Sequence, residues 1–585
     1  MKLFIQLISL LFLCMLSFLS LAADKKAYVG DQSGQACHPK EHQQWQGSHH
    51  DLAMQEANEK TILGDFNNTT FTKDGITTTF YKDVSDKNKS RFMVKTDGPD
   101  GKLHEYEISY TFGVYPLQQY MIKFPQGRIQ VLDIAWDSRS IKEGGQRWYS
   151  LHPDESIKAG DVLHWTGPNL NWNYICADCH STHLKKNYNA LEASYNTQWE
   201  LINVSCEACH GPASEHIELA KAADKKNLQA DGLTINFPAA KSRQWKITEQ
   251  SKPELNGKIN RTEVEVCAQC HARRSQLDDD FVPGDNFRDH YLPSLLTEPL
   301  YFPDGKINDE VYVYGSFKQS LMYKAGVTCS DCHNTHTLEL RAPGDQVCQQ
   351  CHLAPGYATS KHHFHEAGST GASCIACHMP PRTYMGVDVR NDHSFRIPRP
   401  DLAQQLDIPD ACTNCHIDKK ARWAADAIHN WYGKIPAGYQ QFAPALHDLQ
   451  QQNEAALTRA YEVLLSDAPD IVKATVTGFL GDYPSRQTLM TSMQMLRSKD
   501  ADLRRQALQA LQSFPLEHTV SQIFTLLNDP VKMVRIEAAN ILAAVPRGGL
   551  DKQQQILLDK VTEEYRQSLL FVAERPEAQL SLAQL

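Results

Sequence analysis

The 585-residue sequence carries a net charge of −10, with 59 Lys and Arg against 69 Asp and Glu. It lacks the basic excess that a nucleic-acid surface needs, so no nucleic-acid partner is expected. After the first 21 residues no apolar run approaches the roughly 20 residues of a membrane-spanning helix. Charged residues make up 22% and hydrophobic residues 41%, which excludes both a disordered polyampholyte and a polytopic membrane protein. Cysteine is absent after Cys415, and no Cys-x-x-Cys-Lys occurs anywhere. The length predicts three to five domains at roughly 100–200 residues each.

What is present begins with a leader. Met1-Lys2 precedes an apolar run from Leu3 to Leu19 that closes on Ser20-Leu21-Ala22. A basic start, an apolar centre and small residues before the cut describe a secretory signal peptide over 1–22. The expected location of the mature chain is therefore the periplasm, with no membrane span left after cleavage.

The cysteines carry the chemistry. Of the 16, Cys14 lies in the leader, and 14 form seven copies of one pentapeptide. These are Cys176-Ala-Asp-Cys179-His180, Cys206-Glu-Ala-Cys209-His210, Cys267-Ala-Gln-Cys270-His271, Cys329-Ser-Asp-Cys332-His333, Cys348-Gln-Gln-Cys351-His352, Cys374-Ile-Ala-Cys377-His378 and Cys412-Thr-Asn-Cys415-His416. Cys-x-x-Cys-His attaches c-type haem: two thioethers hold one porphyrin edge and the adjacent histidine ligates the iron. Disulfides or zinc sites would use the cysteines but leave unexplained a histidine after every second one. Seven molecules of haem c are expected.

An eighth pentapeptide, Gly34-Gln-Ala-Cys37-His38, has glycine in place of the first cysteine. Two readings stand: a haem held through one thioether, or no haem and a free Cys37 thiol. Trp45, Ser48, His49, His50 and Met54 downstream resemble haem surroundings and favour the first.

The motif histidines and His38 use eight of the 25 histidines. The remainder are numerous enough to fill every second axial position, giving low-spin irons suited to electron transfer. His216, His336 and the cluster His362-His363-Phe364-His365 lie close after motifs; a histidine so near its own motif cannot reach the opposite porphyrin face but can ligate a neighbouring haem. Seven motifs between Cys176 and His416 leave so little chain per haem that the cofactors themselves are expected to form much of the core.

Between the first site and Cys176 the texture changes. Ile76–Tyr81, Arg91–Lys95, Glu105–Tyr110 and Arg128–Trp136 are β-branched and aromatic runs separated by turn residues, predicting a small antiparallel sheet. Beyond residue 435 the pattern is that of amphipathic helices on a 31-residue grid: Leu464, Met495 and Leu526; Val472, Leu503 and Val534; Leu480, Leu511 and Leu542; Pro484, Pro515 and Pro546. A fixed period of helix pairs predicts an α-solenoid, here with short HEAT-like units, and a protein-docking surface. The expected fold class is mainly α: a haem-packed multihaem cytochrome c domain with a small antiparallel β insertion and a C-terminal α-solenoid. The expected divisions are the leader 1–22, the atypical first haem site 23–60, a β-rich insertion 61–165, the multihaem domain 166–435 and the repeats 436–585.

Together these motifs resemble exported multihaem cytochromes c of the cytochrome c-554/octahaem type, which carry paired CxxCH motifs and a C-terminal helical-repeat domain. The likeness covers nearly the whole mature chain. It rests on Tyr28-Val29-Gly30, Trp45-x-x-Ser48-x-His50-x-x-Ala53-Met54, Leu163-His164-Trp165-Thr166-Gly167, Cys209-His210-Gly211-Pro212-x-x-x-His216, His363-Phe364-His365, Cys377-His378-Met379-Pro380 and Asp392-His393-Ser394-Phe395-Arg396-Ile397-Pro398. The resemblance implies His50, His164, His216, His290, His336, His363, His365 and His393 as second axial ligands or haem-pocket residues. Gly34 departs from it where cysteine is expected.

Two functions compete. One is a periplasmic carrier relaying electrons between redox proteins, such as a membrane quinol dehydrogenase and other periplasmic cytochromes. The other is an octahaem-type reductase of a small nitrogen or sulfur oxyanion such as nitrite, hydroxylamine or sulfite. Such an enzyme needs an iron with an open axial position, which the first, irregular site is best placed to offer; the missing Cys-x-x-Cys-Lys removes the lysine-ligated version. A non-catalytic assembly role leaves the haem array without a purpose.

Overall fold

The computed structural model describes residues 26–86, 90–222, 232–235, 237, 244–248, 251–436, 438–453 and 455–585. The leader and Cys14 lie outside them.

The N-terminal half is built on two antiparallel sheets. β1 (Met54–Glu56), β6 (Tyr110–Phe112), β7 (Leu117–Lys123), β8 (Ile129–Val131), β9 (Ile134–Asp137) and β10 (Arg147–Ser150) form one, in the order β1-β6-β7-β9-β10 with β8 also on β7. β2 (Asn67–Lys73), β3 (Ile76–Asp83), β4 (Arg91–Asp97) and β5 (Leu103–Glu107) form the other, in sequence order. Asp74 and Gly75, at φ 52° and 82°, make the two-residue left-handed turn that suits the twist of the β2–β3 hairpin. The sheets enclose Phe66, Phe80, Val94, Tyr120, Ile122, Leu132, Trp136, Trp148 and Trp165. Phe80 and Trp148 stack face to face at 3.6 Å.

β7 is buried on both sides, and this places the first motif. Tyr120 and Ile122 point into the core between the sheets. Met121 on the opposite face packs with Met54, Val131, Trp172, Ala177 and Leu184. The helix Ala177–His180 is thereby seated on the back of the six-stranded sheet.

The expectation of a mainly α fold with a small β insertion is overturned. The structure is 41% helix and 16% strand, with several antiparallel sheets in its N-terminal half. The physical reason is twofold. The β segments make two sheets rather than one, and the chain between motifs closes as further hairpins: Tyr188–Asn189 with Ser194–Tyr195, Gln244–Thr248 with Ser251–Asn256, Arg274–Gln276 with Tyr291–Pro293, and Pro381–Tyr384 with Asp388–Asn391. A short chain between two fixed motifs returns most economically as a hairpin, whose backbone groups satisfy one another.

From Ala443 onward the chain is helical. The helices Asp470–Phe479, Ala501–Leu511 and Lys532–Leu542 begin 31 residues apart, and each packs on the next. The first of them packs on the motif-bearing part, Ile471, Val472, Val476 and Leu480 sharing one cluster with Leu296, Tyr301, Ile307 and Val311, whereas the other two build a cluster of their own that takes in Leu277. No helix among the described residues is long and apolar enough to cross a membrane.

Candidate functional site

The motif histidines sit at the ends of short helical turns, where the amide of the histidine bonds back to the carbonyl of the first cysteine. His333 does so to Cys329 at 2.9 Å, His352 to Cys348 at 2.9 Å and His416 to Cys412 at 2.9 Å. This turn puts both sulfurs and the imidazole on one side of the chain.

Five of the eight pentapeptide histidines face a second histidine at a common separation. The ring centroids are 6.1 Å apart for His38 and His216, 6.2 Å for His271 and His50, 6.5 Å for His333 and His393, 6.0 Å for His378 and His362, and 6.2 Å for His416 and His365. An imidazole nitrogen binds a transition metal at about 2 Å, so two imidazoles ligating one ion from opposite sides stand with centroids roughly 6 Å apart. The observed spacing matches that requirement.

Second contacts aim these rings. Nδ1 of His378 meets the Arg396 carbonyl at 2.5 Å, Nδ1 of His393 the Asn391 carbonyl at 2.9 Å, Nδ1 of His365 the His363 carbonyl at 2.5 Å, and Nδ1 of His180 the Ala53 carbonyl at 3.3 Å. A carbonyl only accepts, so each Nδ1 is the protonated nitrogen and Nε2 keeps its lone pair for a metal. Burial, reinforced by neighbouring histidines, holds His50 and His180 down at about 4. They are neutral at ordinary pH, as a ligand must be.

The cysteines are unbridged among the described residues, and those of different motifs adjoin. The thiols of Cys179 and Cys270 lie side by side, as do those of Cys267 and Cys329, and of Cys348 and Cys374. Cys332 lies within electrostatic reach of Cys351, and Cys412 of Cys377. Burial pushes the Cys176 and Cys412 thiols up to about 12 and those of Cys209 and Cys332 to about 11. Facing imidazoles in twos, four of the five pairs at a complete cysteine pair and the fifth at Cys37 alone, fit a haem, whose porphyrin would supply the remaining iron ligands.

The structure brings His50, His216, His365 and His393 into facing pairs. His164 is elsewhere: buried beside the four-stranded sheet, with Nδ1 at 2.7 Å from Thr166 Oγ1 and Nε2 at 3.1 Å from Asp97 Oδ2. His290 lies between two carboxylates, Asp278 at 2.5 Å and Asp285 at 3.6 Å. His336 is half-buried near Glu41, and His363 accepts the His365 amide on Nδ1. Of the motif histidines outside the pairs, His180 lies against Phe112 at 4.1 Å, His210 edge-on to Phe237 at 5.3 Å and His352 edge-on to Tyr357 at 5.3 Å.

Of the cluster His362-His363-Phe364-His365 singled out in the sequence, His362 rather than His363 faces His378. One residue was missed by sequence reasoning. His42 is buried, and its Nε2 has no hydrogen-bond partner among the described residues. Its spacing four residues after His38, on the same helical face, was the available signal.

Residues 142–211 match the family described as cytochrome c554 and c-prime. The matched segment contains the first two motifs and supports a c-type cytochrome, with haem c as cofactor and electron transfer as the chemistry. No curated protein and no solved structure matches the chain.

Proposed function

We propose that the protein is an exported, periplasmic multihaem cytochrome c in which seven haems, one at each CxxCH motif, pass electrons in series between redox partners. The observation that carries this reading is the set of facing histidine pairs, found at four of the seven CxxCH motifs. An iron held by two imidazoles is six-coordinate and low-spin, suited to electron exchange rather than to binding a substrate. Haem would supply a one-electron iron couple at these motifs, and the facing imidazoles would be the side chains that hold its iron. The adjoining cysteines of different motifs support a continuous array rather than isolated centres.

The partners are redox proteins, a membrane quinol dehydrogenase or other periplasmic cytochromes. The C-terminal helices, with second members starting at a constant interval, support a HEAT-like array over 436–585 that docks such a partner. A leader over 1–22, a first site in 23–60, a β-rich insertion over 61–165 and a multihaem region over 166–435 complete the proposed organisation.

The test is electron paramagnetic resonance of the oxidised, matured protein with and without nitrite or sulfite, alongside a redox titration. Low-spin signals that neither anion alters, titrating over several overlapping one-electron steps, are expected. A dominant high-spin signal that shifts on adding either anion would replace this reading with an oxyanion reductase. A colourless sample without Soret absorbance would end both.

A further inference from the structure

We propose that Gly34–His38 binds an eighth haem, attached through a single thioether at Cys37 and held axially by His38 and His216. This rests on the reading that the seven CxxCH motifs carry haem c.

The axial pair comes first. His38 and His216, 178 positions apart in sequence, have nearly parallel rings, at 27°, with centroids 6.1 Å apart. That lies within the 6.0–6.5 Å range of the four pairs that include a complete motif. The approach is organised by the surrounding chain. Ala27 and Ser214 exchange hydrogen bonds of 2.8 and 3.2 Å, and Lys26 pairs with Glu215 at 2.7 Å. The Glu207 carboxylate, inside the second motif, accepts the amides of Val29 at 3.0 Å and Gly30 at 2.8 Å. The segment before Gly34 is thus tied to both the second motif and the helix bearing His216.

The pentapeptide backbone also has the shape of the complete motifs. The amides of Cys37 and His38 bond back to the Gly34 carbonyl at 3.0 and 2.9 Å. Those of Cys351 and His352 reach the Cys348 carbonyl at 3.1 and 2.9 Å, and those of Cys415 and His416 reach Cys412 at 3.2 and 2.9 Å. Gly34 has ordinary right-handed dihedrals, φ −87° and ψ −18°, so nothing about its conformation requires glycine. A Cβ there would meet only the Asp31 carbonyl, at 3.8 Å. The place of the first cysteine's side chain is therefore open, and the turn that would present it is retained.

The chemistry balances without a co-reactant. The Cys37 S–H adds across one vinyl group of the haem: a carbon–sulfur bond forms, the thiol hydrogen goes to the neighbouring vinyl carbon, and the vinyl double bond is consumed. Nothing leaves and no electrons are exchanged with an external oxidant or reductant. The second vinyl survives and stays conjugated with the porphyrin.

The test uses the full-length matured protein. Intact mass under denaturing conditions counts covalent haems, while total haem and iron on the native protein count all of them. Eight by both counts is expected, with a minor pyridine haemochrome component at longer wavelength from the haem that keeps a vinyl. Cys37→Ala should lower the covalent count by one and leave seven. Gly34→Cys should keep eight and abolish the long-wavelength component, which tests the site even where the first variant fails to fold. Seven by both counts overturns the proposal and leaves the seven-motif reading standing. Seven covalent with eight in total overturns the single thioether. A protein without haem overturns both.

Discussion

Arg288 and Asp502, 214 residues apart in sequence, meet in a buried two-point ion pair: Nε reaches Oδ1 at 3.0 Å and Nη2 reaches Oδ2 at 2.7 Å. Lys318 Nζ adds a third contact to Oδ2 at 2.9 Å. Asp502 belongs to the first turn of the helix Ala501–Leu511, whereas Arg288 and Lys318 come from the motif-bearing part. One carboxylate of the helical stack thus holds two buried cations of its neighbour, with Glu265 adding a second, longer contact to Arg288 at 3.4 Å. The contact fixes how the stack is seated.

Removing that carboxylate should cost more than the pair contributes. A buried ion pair gains little over a well-packed apolar substitute, but deleting one partner strands the other's charge, at about 3–5 kcal/mol. Asp502→Ala strands Lys318, leaves Arg288 only its contact to Glu265, and is expected to fall at the upper end of that range. Denaturant unfolding followed by far-ultraviolet circular dichroism measures it. A midpoint unchanged from wild type would show that the seam does not depend on this carboxylate.

The same group gives an acid dependence with a definite sign. Burial would raise the Asp502 carboxyl, but Arg288 and Lys318 outweigh it and hold it well below the usual carboxylate range. A group depressed in the folded state stabilises fully above its unfolded value, near 4 for aspartate, and loses that contribution as pH falls towards the folded value. The stability gap between wild type and Asp502→Asn should stay constant from about pH 7 to 5 and shrink below about 4. Paired unfolding curves across that range check it; a gap that widens in acid would contradict the assignment.

Ligand exchange separates two kinds of histidine. His362 faces His378 and His393 faces His333, so His362→Ala or His393→Ala should convert one iron from low to high spin, one haem equivalent in each variant. His164 has both nitrogens engaged with Thr166 and Asp97, and His164→Gln should leave the spin state unaltered while lowering stability by about 1–3 kcal/mol through the lost contact to the half-buried Asp97. Electron paramagnetic resonance of the three oxidised variants decides. A high-spin signal in His164→Gln, with none in the other two, would reverse the assignment.

What the sequence discloses here follows the range of the interactions. CxxCH is legible because thioether attachment and the first axial bond are confined to five consecutive residues. The 31-residue grid is legible because Val472, Leu503 and Val534 occupy equivalent helical positions. Axial pairing is not local: His216 belongs to His38, and no spacing rule connects them. His363 and His362 differ by one residue and by which side of one turn they occupy, which motif proximity cannot resolve. The hairpins were hidden for another reason. Strands such as Arg274–Gln276 and Tyr188–Asn189 are too short to show alternation, and they exist because the motifs they join are already fixed in place.

A glycine comparison isolates the contact that seats the first motif. Gly127, between β7 and β8, has φ 69°, and a Cβ there would come within 2.0 Å of the Tyr195 carbonyl, a backbone atom without freedom to turn away. Its own carbonyl accepts Asn173 Nδ2 at 3.1 Å, while Asn173 Oδ1 takes the Ile129 amide at 2.8 Å; Asn173 lies on the short helix Trp172–Ile175 that leads into Cys176. Gly75 has a similar φ of 82° with nothing within 4 Å of the added atom. Gly75→Ala should therefore cost only the left-handed backbone penalty of about 1–2 kcal/mol. Gly127→Ala should cost that and the collision together, on the order of 3 kcal/mol or more, because the β7–β8 turn must retreat from Tyr195 and take Asn173 with it. The difference in unfolding free energy between the two variants measures the close approach, and equal losses would mean that the turn at Gly127 yields freely. The electron paramagnetic resonance signal of a haem at Cys176–His180 should broaden in Gly127→Ala and remain unchanged in Gly75→Ala, since only the first displaces the helix on which that motif is mounted.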